Sequence, residues 1–505
     1  MKLKFSRKLR ILTFSLIATL AAIFCLYLYE TKDTRQFEQL SQDLLYTELS
    51  GNTISLHYTL AYPENYGLSA DPILPSSFTD VDIRAQVTEW QRRLSCIDPQ
   101  KLDPQDRYAY LLFDRFLALT LEGSDFTYYT DPLSPSSGMV SGLPVLLADY
   151  TFRTKKDVED YLGILEQTGA YFDALIRYEQ EKSSAGLFMS DTSADNVIEQ
   201  CDSIMDPVLL SDGSHFLQQT FTERLDGLAS DEIITGEEKQ QYIDKNNLLL
   251  TTVMAPAYER VGDAFLVLKG TGTNPYGLCY YPEGKEYYTY LLAQTTGSSR
   301  SIPEIRRLLE KDYQKNFHAL RDLVKEHPGL LKLSPEDFSL SLNMQNSYSD
   351  HPEEPGDTDL PTKPAATSDI LCRLSEAILD DLQKQMKPDF PKLTCIPEAK
   401  AGQEHDGESN SVSCQIKKVS SSMEAYSSPA YYLTPPIDDL WHNTIYLNEP
   451  NITDDLTLYT TLAHEGYPGH LYQTVYSQSF LNQQNASCIR SMLHYGGFVE
   501  GWAVY

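Results

Sequence analysis

Residues 457–478 read TLYTTLAHEGYPGHLYQTVYSQ, and His464, Glu465 and His470 within them are the residue types that hold a metal ion and move a proton. A metal-dependent hydrolase needs neutral imidazoles for the ion, an open coordination position for water, and a carboxylate to take that water's proton. Zinc lowers the pKa of bound water to about 7, which makes hydroxide available at neutral pH. A His-Glu pair on a helix is the usual start of such a site, with the glutamate as base and not as ligand. The spacing here is different. The fourth position after His464 is Pro468, and the next histidine, His470, comes six residues on. At about 100° per residue, an ideal helix leaves His470 well off the face of His464. Pro468 lacks an N–H and its ring collides with the His464 carbonyl, and Gly469 frees the next backbone step. A kink or wide turn there is expected to swing His470 back. Downstream, YGGFVEGWAVY reads as a second helix with Glu500 at its centre. Glu500 is available as a third ligand, giving two histidines and one glutamate with an open position. A plainer reading stands beside this one: a His-Glu pair on a solvated helix face, and Glu500 as a surface or structural residue. Tyr431, Tyr432 and His442 are candidates for lining a cleft or steadying a tetrahedral intermediate, and His494 for orienting a ligand. With 34 tyrosines in the chain, core packing competes for each tyrosine.

Helices must position these residues. Over 155–178 apolar side chains at Val158, Tyr161, Leu162, Leu165, Phe172 and Leu175 recur at helical spacing, with Thr154 as N-cap. Residues 302–326 read the same way, with Ser301 and Glu304 as a capping box and Pro303 in the first turn. A third helix begins after Ser368 and carries Ile370, Leu371, Leu374, Ile378 and Leu382, and Thr453 or Asp454 caps the helix leading to His464. Short β-prone runs occupy 430–433 and 444–447. Residues 349–368 and 399–413 read as exposed linkers. The chain thus divides into a helical body at 31–348, a middle segment at 349–425 and a metal-site core at 426–505. No internal repeat is present, which disfavours a solenoid. Residues 270–277 are a turn-rich loop without the Gly-Lys-Ser/Thr of a phosphate-binding loop.

Composition narrows the partners. With 41 basic and 71 acidic residues the net charge is -30, so nucleic acid is not expected as a partner, nor anionic lipid for the body. Lys2, Lys4, Arg7, Lys8 and Arg10 precede an apolar run at 11–29. Such a run spans a hydrocarbon core of about 30 Å, and the basic end is expected inside. An uncleaved single-pass anchor at 1–30 with the body outside is expected; the alternatives are a cleaved signal or a lipoprotein signal at Cys25. The remaining cysteines form no C-x-x-C pair, and Cys395 with Cys414 is a possible loop bridge beside the plainer reading of buried thiols.

The stretches TTLAHEGYPGHLYQ and EGWAVY, with SPAYYLTPPIDD, IYLN and LADYTFRTKKDVEDYL upstream, resemble the bacterial domain-of-unknown-function-885 family. The resemblance covers most of the chain after the anchor. It implies a mainly α, gluzincin-like metallopeptidase body with a small β element beside the active-site helix. It also implies His464, His470 and Glu500 as metal ligands, Glu465 as general base and one zinc ion. Family members continue beyond the position of Tyr505, so the chain is expected to be a fragment. The expected function is an extracytoplasmic zinc-dependent hydrolase acting on a peptide or small amide. A non-catalytic envelope binding protein and a hydrolase of a non-peptide amide or ester are the alternatives.

Overall fold

The computed structural model describes residues 31–68, 71–78, 82–272, 277–332, 367–393, 412–421, 423–424, 427–452, 454–484 and 486–505. The expected anchor, Cys395, Thr453 and most of both expected linkers lie outside them. Among the described residues no helix is long and apolar enough to cross a membrane, and no disulfide joins two described cysteines.

The fold is mainly helical with one small sheet, and two compact units divide it. The first comprises residues 31–48, 82–124 and 484–494. Its helices α1 (Lys32–Ser50), α2 (Ile83–Ser95) and α3 (Pro104–Gly123) bury Phe37, Leu40 and Leu44, Val87, Trp90 and Leu94, and Ala109, Phe113 and Leu117. These recur every three or four residues, so each helix turns one stripe inward. Asp82 and Asp103 cap α2 and α3 through their carboxylates, and Pro104 occupies a first turn where no N–H is needed. His494 belongs to this unit.

The second unit includes helices α4 (Met139–Ala148), α5 (Lys155–Ser184), α6 (Asp191–Ile204), α7 (Phe216–Ser230), α8 (Gly236–Leu249) and α9 (Ala255–Leu268). After these come α10 (Gly284–Thr296), α11 (Ile302–Glu326) and α12 (Thr367–Met386). The long helix α5 buries Val158, Tyr161, Leu162, Leu165, Phe172 and Leu175, as its apolar spacing predicts. Thr154 and Asp157 close its N-terminus as a capping box. The Asp157 carboxylate also accepts the Arg153 N–H at 2.9 Å, which fixes the chain just before the helix. The Ser301–Glu304 box opens α11 as expected, yet α11 buries none of its residues. Helix α12 seats Ile378 and Leu382 in the core.

Strands β1 (Ser413–Lys418), β2 (Ala430–Leu433) and β3 (His442–Leu447) form a sheet of order β1-β3-β2, with β1 parallel and β2 antiparallel to β3. Side chains alternate between faces along a strand, and the core sorts them accordingly. Ala430, Ile445 and Leu447 pack with α12 and with helices α13 (Asp455–Glu465) and α14 (His470–Gln483). Tyr431, Leu433 and Tyr446 pack instead against the α4–α9 body. Tyr431 faces Tyr446 across the strands with ring centroids 4.9 Å apart.

Asp157→Ala removes the acceptor for two backbone N–H groups, those of Arg153 and Thr154. A loss of about 1–2 kcal/mol is expected, in line with N-cap losses elsewhere. Urea unfolding at unchanged m-value checks it.

Candidate metal centre

Helix α13 starts at Asp454, whose carboxylate accepts the Thr457 N–H at 2.8 Å, and places His464 and Glu465 in its last turn. There it stops. Gly466 leaves helical geometry, with φ -106° and ψ -99°. The chain then passes through a cis Tyr467–Pro468 peptide, and α14 begins at His470. The break is therefore wider than a kink at Pro468-Gly469, since helical geometry is already lost at Gly466. The Gly469 N–H donates back to the Ala463 carbonyl at 3.0 Å, and that of Tyr472 to Gly466 at 3.2 Å. A Cβ on Gly469 would lie 1.8 Å from the His464 carbonyl oxygen, so only glycine fits this approach. His470 consequently leaves the first turn of α14 facing His464, with ring centroids 4.7 Å apart and ring planes perpendicular.

Glu500 comes from helix α15 (Gly496–Val504) and spans both imidazoles. Its two oxygens lie 3.4 Å from His464 Nε2 and 3.6 Å from His470 Nε2. The Trp502 indole N–H, two residues on, donates to the Pro468 carbonyl at 2.8 Å and so fastens α15 to the turn between α13 and α14. The indole also lies near Tyr472 and Phe390. All three ligand-type atoms fall within 4.8 Å of one another. Tetrahedral ligands 2.0–2.2 Å from an ion stand about 3.3–3.6 Å apart; each imidazole meets a Glu500 oxygen at about that spacing, through different oxygens, in a donor set that fits within 4.8 Å. Burial lowers the pKa of His470, helped by His464 and opposed by Glu500. The neutral, ligating form of its imidazole is thereby favoured.

Glu465 reaches the sheet, where its carboxylate accepts the Tyr432 backbone N–H at 2.9 Å. Burial pushes its pKa up to about 7; the Tyr432 hydrogen bond opposes this and the Glu500 charge adds to it. These groups line a cleft of about 680 Å³. Tyr431 and Tyr432 line it too, but the Tyr432 hydroxyl is spent on Asn443, to which it donates at 2.6 Å. Tyr432 serves Glu465 through its backbone N–H, a role no side-chain motif announces. His442 lines a neighbouring cavity and lies 3.1 Å from Asp439.

Residues 75–505 match the family described as "Bacterial protein of unknown function (DUF885)". The chain belongs to the DUF885 family. The matched span includes every residue of the candidate centre. Among curated proteins none matches this DUF885 chain. The solved structures it is similar to include a candidate lipoprotein from Colwellia psychrerythraea, at 18% identity and a TM-score of 0.69, over 94% of this chain and 77% of that one. That likeness establishes a shared fold. A candidate lipoprotein of unknown function from Shewanella oneidensis is more distant, at 16% identity and a TM-score of 0.46, over 93% of this chain and 76% of that one.

Gly469→Ala is expected to cost about 1–3 kcal/mol through forced backbone movement. Gly501→Ala, where an added Cβ meets nothing within 4 Å, should stay within about 0.5 kcal/mol. Parallel denaturant titrations compare the two.

Proposed function

We propose that this chain is an exported, metal-dependent hydrolase of the gluzincin kind that cleaves peptide bonds. The observation carrying the proposal is the convergence of two imidazoles and a carboxylate from three helices, beside the half-buried carboxylate of Glu465. His464, His470 and Glu500 would hold the cation. Two nitrogens and one oxygen suit Zn²⁺, and other divalent ions share much of that preference. When bound, such a cation supplies Lewis acidity at neutral pH.

Glu465 is the general base. The Tyr432 N–H fixes one of its oxygens, leaving the other to take a proton from the attacking water. As the C–N bond breaks, Glu465 returns that proton to the departing nitrogen. The thin sheet beside α13 holds Tyr432, and so Glu465, in register with the cleft. Export rests on the basic residues followed by the apolar run at 11–29. The description of the Colwellia protein as a candidate lipoprotein is in keeping with that address.

A mixed peptide library incubated with the Zn²⁺-supplemented protein, with products identified by mass spectrometry, tests the activity. Glu465→Gln should lower the cleavage rate by about 10²–10⁴-fold. Undiminished cleavage by that variant would remove Glu465 from the chemistry.

A further inference from the structure

The segment LADYTFRTKKDVEDYL takes no part in the metal centre, yet it helps wall a cavity of about 760 Å³ that shares Tyr431 and Thr434 with the metal cleft. The size is that of a small-ligand site. The lining carries four cations, Arg153, Arg224, Lys417 and Lys418, against three acids, Asp149, Glu223 and Asp439. That balance is the reverse of the chain's net charge of -30.

Most of these charges are already engaged. Asp149 is held by Lys417 and by the Tyr446 hydroxyl, which donates at 2.8 Å. Asp439 pairs with His442 and accepts the Trp441 N–H at 3.3 Å. Lys418 pairs with Glu449. Arg224 donates to the carbonyls of Thr220, Leu147 and Tyr150, and its guanidinium stands 4.5 Å from the Phe152 ring centroid and 5.2 Å from that of Tyr161. It is a structural cation.

Arg153 differs. Its guanidinium makes no side-chain hydrogen bond or ion pair with any described residue, and its Nη1 is shut off from water without a partner. The Tyr62 ring lies 5.9 Å from the guanidinium carbon, and the Arg153 charge helps lower the pKa of Asp439, whose carboxylate bonds to His442 and Trp441 and not to Arg153. The backbone just behind it is pinned by Asp157. A half-buried guanidinium without an acceptor is costly to maintain, and the planar fork matches a carboxylate in two-bond geometry.

We propose that this cavity is a carboxylate-binding subsite, with Arg153 as the group that binds the anionic end of a short peptide lying across the Tyr431–Thr434 wall. This rests on the peptidase reading for what the ligand is. The carboxylate belongs either to a free C-terminus or to an acidic side chain. In both cases Arg153 selects peptides that carry a negative charge a short distance from the bond at the metal cleft.

The test is an NMR-monitored titration of the full chain in EDTA with three probes: N-acetyl-Ala-Ala, its C-terminal amide, and N-acetyl-Ala-Glu amide. At least one carboxylate probe should bind about tenfold or more tightly than the Ala-Ala amide, and which one does so identifies the source of the carboxylate. Arg153→Gln should bring all three within about twofold, and Arg153→Lys should restore part of the preference. Equal binding of all three probes to the unmodified chain, binding of none, or a preference that survives in Arg153→Gln would each overturn the proposal. The comparison in the unmodified chain stands whether or not the variants fold. Because the readout needs neither metal nor turnover, its failure leaves the hydrolase reading intact, and the converse also holds.

Discussion

Where the backbone of Gly469 passes the His464 carbonyl there is no room for a side chain, and that approach is what lets one histidine reach the other. Two histidines six residues apart on a continuous helix point away from each other. Ending α13 at Glu465 and restarting the chain as α14 at His470 places one imidazole at the end of a helix and the other at the start of the next. Helix α15 then closes the third side. Its Trp502 indole bonds to the Pro468 carbonyl, so the turn that brings the histidines together also anchors the helix bearing Glu500. Backbone geometry fixes the two imidazoles, while the Glu500 carboxylate reaches them on a largely exposed side chain.

The sheet gives the centre its second constraint. It is thin, with helices against both faces, and the alternation of its side chains makes β2 a partition. Tyr431 and Leu433 belong to the large helical core, while Ala430 packs with α12–α14. The Tyr432 N–H, on the edge of β2 away from β3, holds Glu465. Burial there raises the energy of the charged carboxylate, and the amide returns part of it. A group with these opposed influences is suited to taking and releasing a proton, which a fully solvated glutamate beside the same imidazoles would do less well.

Much of this was legible in the residues. The periodicity of α5, its N-cap at Thr154 and the two β-prone runs give elements where local chemistry and tertiary packing agree, and the Ser301–Glu304 box opens α11 as its residues suggest. Pro468 and Gly469 announced a break, and His464, His470 and Glu500 are brought together. Other features had no local signal. Strand β1, SCQIKK, is poor in apolar residues because it lies at the sheet's edge, so its parallel pairing with β3 depends on distant chain. The hold on Glu465 is a backbone N–H, which any residue at position 432 other than proline would offer. Arg153 reads as an ordinary charge before a helix, and only the folded chain shows that it lines a cavity with its Nη1 buried and hydrogen-bonded to nothing. The exposed apolar side of α11, with Leu309, Tyr313 and Phe317, likewise looks from its spacing like a core face, yet no described residue buries it.

The central claim is that His464, His470 and Glu500 form one metal site, and metal stoichiometry tests it most directly. The protein is dialysed against trace Zn²⁺, freed of loosely held ions, and measured by mass spectrometry beside its Glu500→Ala variant. About one tightly held zinc per chain, lost or weakened at least tenfold in the variant, is the predicted result. No retained metal, or the same amount in both proteins, would contradict it and leave the His-Glu helix as a structural element.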